Sequence, residues 1–117
     1  MLKQNHPEHW LGKRVKVKID RPLGSKHPDY PTSIYPVNYG YIPQTFSPAD
    51  NEEIDAYVLG PKRPLKDFIG VVIAVVIRKD DEIKLIVTDG TDYSDEEIKR
   101  IIDFQEKYHQ STLIRAA

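Results

Sequence analysis

The 117-residue sequence contains no cysteine. That excludes a disulfide framework, a thiol nucleophile and every zinc site built on thiolates. Long apolar runs are also missing. The longest, residues 69–77, falls well short of the roughly 18 residues that a membrane span requires. Residues 1–6 carry no apolar signal core, so a cytoplasmic protein without a membrane partner is expected. There is no glycine-rich phosphate loop and no serine-centred nucleophile elbow. Nor does either sign of charge dominate. The formal net charge is −1, so no long-range field favours nucleic acid or an anionic membrane.

What is present reads as one domain. Val15, Val17 and Ile19 alternate with Lys16, Lys18 and Asp20, the period of a half-buried strand. Four prolines between residues 22 and 36, with Gly24 and Asp29, predict a long ordered loop. Residues 35–42 are rich in tyrosine and interrupted by Pro36 and Gly40, which predicts a strand with a bend or bulge. Further strands are expected at 54–59, at the β-branched run 70–77, and at 83–88 across a charged turn. Ser94 and Glu97 form a capping box that opens the one good helix. A short final strand at 112–114 would follow. Strands first and one helix last predict a mainly β, α+β domain: an OB-like, closed five-stranded barrel with one C-terminal helix packed on it. Residues 1–14 are assigned to an N-terminal extension, expected to be mobile, and 15–117 to the barrel.

Two acidic runs stand out. Asp50, Glu52, Glu53 and Asp55 precede an apolar strand, and Asp80, Asp81 and Glu82 fill a hairpin turn. Carboxylates at this density repel unless solvated or bridged by cations, and hard oxygen ligands on loops suit magnesium or calcium. Solvated turn tips are the commoner meaning of such runs. Lys26, His27, Lys84, Lys107 and His109 are the candidate cations. For His27, a structural hydrogen bond weighs more than a ligand role. The seven tyrosines suit a barrel core and rim, with one or two hydroxyls free to meet an anion.

Tyr35-Pro36-Val37-Asn38-Tyr39-Gly40-Tyr41-Ile42 and then Asp50-Asn51-Glu52-Glu53-Ile54-Asp55 resemble two ordered motifs of the soluble family I inorganic pyrophosphatases. These are Tyr-Pro-x-Asn-Tyr-Gly-Tyr and Asp-Gly-Asp-Pro-apolar-Asp. Residues 70–73, Glu82-Ile83-Lys84-Leu85 and residues 104–109 are similar to later segments of that family. Residues 17–22, with Asp20 two before Pro22, are similar to an earlier strand. The resemblance implies magnesium-dependent hydrolysis of pyrophosphate. It implies that Asp50, Asp55 and Glu82 hold magnesium, with Asp80 or Asp81 adding a site. It places Glu52 where a carboxylate orients the attacking water, and Tyr39, Lys84 and Tyr108 against phosphate oxygens. Lys26, His27 and His109 are the remaining candidates for phosphate contact.

The chain departs from the family pattern. Glu52 and Glu82 stand where the family has aspartate, and His109 where it has lysine. Asn51 and Glu53 replace a glycine and a proline. The stretch between Pro22 and Tyr35 is short and lacks a hairpin that carries a lysine, a glutamate and an arginine. The resemblance is therefore to a minimal version, with a homo-oligomer left open as its assembly. Hydrolysis of another phosphoanhydride or nucleotide, or metal and phosphate binding without appreciable turnover, are the competing expectations.

Overall fold

The computed structural model describes residues 6–45 and 52–116. Its elements in chain order are a 3-10 turn Pro7–Trp10, then β1 Arg14–Arg21, β2 Asn38–Ile42, β3 Ile54–Val58, β4 Asp67–Arg78, β5 Ile83–Thr88, α1 Asp95–Glu106 and β6 Ser111–Arg115. β1 pairs antiparallel with β2, and β2 with β3. β3 runs parallel to β5, β5 antiparallel to β4, and β4 antiparallel to β1. Five strands thus close on themselves as a mixed barrel of OB-like topology, and β6 extends the far end of β4.

Strand alternation decides what fills the barrel. Val15, Val17 and Ile19 of β1, Ile54, Ala56 and Val58 of β3, and Ile83, Leu85 and Val87 of β5 share one buried cluster with Ile42, Val72 and Val75. The opposite face of β3, β5 and β4 is also apolar over part of its length. There Tyr57, Ile86, Ala74 and Val76 pack with Ile98 and Ile102 of α1. The helix starts where the capping box places it. Glu97 N–H donates to Ser94 Oγ at 3.1 Å, and Ser94 N–H donates to Glu97 Oε1 at 2.8 Å.

The irregularity expected in residues 35–42 falls instead on the partner strand. Ile19 pairs with Gly40 and Arg21 with Tyr39, so Asp20 is the extra residue of a bulge. Gly40 faces the close approach that makes this possible: a Cβ there would lie 1.9 Å from the Lys18 carbonyl oxygen. β2 itself begins at Asn38 rather than at Tyr35. The fully buried Asn38 side chain accepts from the N–H groups of Leu23 and Leu65, each at 3.0 Å, and donates to the Arg63 carbonyl. One amide therefore ties β2 to two loops.

The Pro-rich stretch is an ordered loop, held by backbone bonds between Gly24 and Tyr35 and between His27 and Ser33. The N-terminal extension packs against the barrel where it is described. Trp10 and Leu11 lie on the barrel core, and Gly12 N–H donates to the Val72 carbonyl at 2.8 Å. Among the described residues, no helix is long and apolar enough to cross a membrane.

Candidate active site

Period-two alternation puts Asp55, between the inward Ile54 and Ala56, on the outer face of the barrel. The parallel register sets Asp55 directly opposite Lys84, and the same alternation turns Lys84 outward between Ile83 and Leu85. Tyr39 of β2 reaches the same place. Its hydroxyl donates to Asp55 Oδ2 at 2.8 Å. Lys84 Nζ donates to Asp55 Oδ2 at 2.7 Å, to the Tyr39 hydroxyl oxygen at 3.0 Å and to Glu82 Oε2 at 2.8 Å. An ammonium has three donors, and all three are used. The Lys84 side chain is only 4% exposed, whereas Asp55 is 33% exposed. Asp55 is therefore the group that meets solvent.

The polar network continues inward. Arg78, at the end of β4, donates from Nη1 to Glu82 Oε1 at 3.3 Å. It also forks onto Glu106, with Nε to Oε1 at 3.1 Å and Nη2 to Oε2 at 2.7 Å. The Tyr57 hydroxyl donates to Glu106 Oε2 at 2.5 Å and accepts from Gln105 Nε2 at 2.8 Å. Gln105 Oε1 accepts from the Tyr35 hydroxyl at 3.1 Å and from His27 Nε2 at 2.9 Å. His27 Nδ1 accepts from the Asp29 N–H at 3.0 Å, which fixes the tautomer with its proton on Nε2. A single hydrogen-bonded chain thus joins the Pro-rich loop, the C-terminal turn of α1 and the carboxylates of the outer face.

Burial sets the electrostatics of this chain. Tyr39 is held well above the ordinary tyrosine range by burial first and by Asp55 second, so it serves as a neutral hydroxyl. Tyr57 is pushed up by burial and by Glu106. For Arg78, burial alone would favour the neutral form. The hydrogen bonds and charge of Glu106, with Glu82, more than offset that and raise it. Asp20 is raised by partial desolvation of its carboxyl, and the charges of Asp55 and Glu53 push the same way. Asp20, Glu53 and Asp55 therefore share one negative field, with Arg21 opposing it at Asp20.

The residues singled out in the sequence divide accordingly. Asp55, Glu82, Lys84 and Tyr39 come together, and Asp20 lies in their field. Glu52 is exposed just before β3, and Asp50 lies outside the described residues. Asp80 and Asp81 are exposed on the turn, where Asp80 Oδ1 accepts the Glu82 N–H. Lys26 is exposed in the Pro-rich loop, and both ring nitrogens of His27 are engaged by protein groups. Tyr108 lies flat on Tyr30, with ring centroids 4.1 Å apart. His109 lines a cavity of about 480 Å³ between α1 and β6 whose lining includes neither Asp55 nor Lys84. Sequence reasoning missed Arg78, Tyr57, Gln105 and Glu106. One signal was available: Arg78 continues the every-second-residue row of Ala74 and Val76, and Glu106 continues the i+4 spacing of Ile98 and Ile102, so each charge falls on an apolar face.

Among the described residues, no three histidine, aspartate or glutamate side chains gather as a metal cluster. Magnesium keeps several waters and uses one or two protein carboxylates beside substrate phosphates. The partly open Asp55 fits that demand.

The chain matches the family model described as inorganic pyrophosphatase over residues 8–113. Among solved structures it is similar to the inorganic pyrophosphatase of Ehrlichia chaffeensis, with 16% identity and a TM-score of 0.69, covering 97% of this chain and 92% of that one. It is similar to the enzyme from Neisseria gonorrhoeae, with 20% identity, a TM-score of 0.61 and coverage of 91% and 82%. For the Thermus thermophilus inorganic pyrophosphatase the values are 18%, 0.59, 97% and 87%. At these identities the likeness to each structure is one of fold. None of the curated proteins matches the chain in sequence. Since the family model spans nearly the whole chain, the protein belongs to the inorganic pyrophosphatase family, the inorganic diphosphatases.

Proposed function

We propose that this inorganic diphosphatase hydrolyses pyrophosphate to two phosphates in a magnesium-dependent reaction on the outer face of β3 and β5. The observation that carries the reading is the meeting of Asp55, Tyr39 and Lys84 around one carboxylate oxygen. Asp55 is the metal-facing carboxylate, with Asp50 as its proposed partner. Magnesium, when bound, would neutralise phosphate charge and lower the pKa of a bound water. Glu52 would orient that water. Lys84 spends its donors on Asp55, Glu82 and Tyr39. Once a cation satisfies Asp55, Lys84 can exchange that bond for a phosphate oxygen without leaving either carboxylate unpaired. Tyr39, kept neutral, offers a hydroxyl to the same phosphate. Phosphoryl transfer asks mainly for positioning and charge compensation, and the rigid barrel face supplies both.

Phosphate release from pyrophosphate tests this. The parent should require magnesium, and Asp55→Asn should reduce turnover by at least about a hundredfold with an unchanged circular dichroism spectrum. An Asp55→Asn protein as fast as the parent would remove this face from the reaction. A second reading has one observation in its favour: in this structure every Lys84 donor is already satisfied within the protein. It holds that the chain binds metal and phosphate with little turnover. Protection from heating by magnesium plus phosphate, without product from pyrophosphate or from a panel of nucleotides, would favour it.

A further inference from the structure

Glu82 differs from Asp55 in one respect that matters for metal binding. Each of its carboxylate oxygens already accepts from a cation, Oε1 from Arg78 Nη1 and Oε2 from Lys84 Nζ. Arg78 is in turn fixed. Its fork onto Glu106 is buried at 7% exposure on both partners, and Glu106 is held by Tyr57. A guanidinium in such a fork keeps its charge and its geometry.

We infer that Arg78 is a built-in cation that takes the place of a divalent ion at Glu82, so that Glu82 anchors Lys84 instead of ligating metal. Arg78 is then a positioning residue. It acts on Lys84 through Glu82, and it confines divalent binding to the Asp55 side of the site. The inference deepens the magnesium reading above and narrows it to fewer metal positions.

The charge count makes the idea testable without altering the overall field. Asp55, Glu82 and Glu106 face Lys84 and Arg78, leaving one negative charge over. Replacing Arg78→Met together with Glu106→Gln removes one charge of each sign and keeps that balance. The Gln carbonyl can still accept from Tyr57, and its amide can reach the cavity between α1 and β6 that Glu106 lines. The double substitution therefore avoids an unpaired buried charge, which is what would make Arg78→Met alone unfold.

Manganese binding, followed by titration calorimetry, is the readout. The double variant should bind one more equivalent of manganese than the parent, or bind it at least about tenfold more tightly, because Glu82 is released. Glu82→Gln in the parent background should leave manganese affinity within about threefold, while Asp55→Asn should weaken it at least about tenfold. Equal manganese binding by the parent and the folded double variant would overturn the inference. So would a tenfold loss in Glu82→Gln, which decides the matter alone if the double variant does not fold. A parent that neither binds manganese nor releases phosphate with magnesium would instead end the magnesium reading. A gain in the double variant would still support the role of Arg78.

Discussion

Tyr39 supports Asp55 and Lys84 with one hydroxyl, donating to the first and accepting from the second. Tyr39→Phe keeps the ring packing and deletes both bonds. Stability should fall by about 2 kcal/mol in urea unfolding, at a usual net worth of about 1 kcal/mol for each bond. Turnover should fall about tenfold, since Asp55 loses its fixed orientation. Lys84→Ala should act differently. It removes the proposed phosphate contact and should raise KM more than it lowers kcat; an unchanged KM would take Lys84 out of substrate binding. At this scale the sequence motifs singled out Tyr39, Asp55, Glu82 and Lys84, because residue identity and spacing along three strands and the turn before the last of them carried the information. The pairings of Arg78, Gln105 and Glu106 were not legible, for a physical reason. Their partners across the contact of helix, sheet and loop are 28 to 78 residues away, and only the seating of the last turn of α1 on the sheet brings them together. His27 was read as structural first, and its two ring bonds fit that reading.

Among the elements, the run that became β5 and the capped start of α1 were legible because both rest on local rules: apolar periodicity and a side chain bonded to a backbone N–H. The position of the bulge was not. A bend or bulge was expected in the Gly40 strand, but a bulge depends on the partner's register, and it lies at Asp20. Gly40→Ala should cost about 3 kcal/mol or prevent folding, since the added methyl meets backbone rather than a movable side chain. A thermal midpoint equal to the parent's would show that β1 and β2 do not approach as described. The helix makes a prediction about acid. Glu97 is exposed, and its carboxylate is held below its ordinary value of 4.5 by the Ser94 N–H and then by the Ser94 hydroxyl. A carboxylate lowered in the folded state adds stability above its unfolded value and loses it as pH falls through the folded one. Thermal stability should therefore drop on acidification below about pH 4.5, and Glu97→Gln should flatten part of that drop. A variant with the parent's full acid dependence would mean that the capping box does not persist in solution.

For the molecule as a whole, the radius of gyration of 13.3 Å equals the ~13 Å expected of one compact domain of this length. The short Pro-rich loop is fastened to α1 by the His27–Gln105 bond and to the turn that follows it by the stack of Tyr30 on Tyr108. The proposed chemistry thus sits outside the barrel, on a wall made by β3 and β5 and closed at one end by helix and loop. The order of strands and helix was enough to predict a barrel. Which of its faces carries the proposed site was argued only from the register that sets Asp55 beside Lys84. A crystal grown with manganese and a non-hydrolysable pyrophosphate analogue tests that placement most directly, through the anomalous scattering of the metal. The account predicts a manganese peak about 2 Å from an Asp55 carboxylate oxygen, with Lys84 Nζ turned onto a phosphate. A peak confined to the exposed turn of Asp80 and Asp81, with Lys84 still bridging Asp55 and Glu82 and the analogue elsewhere, would contradict it.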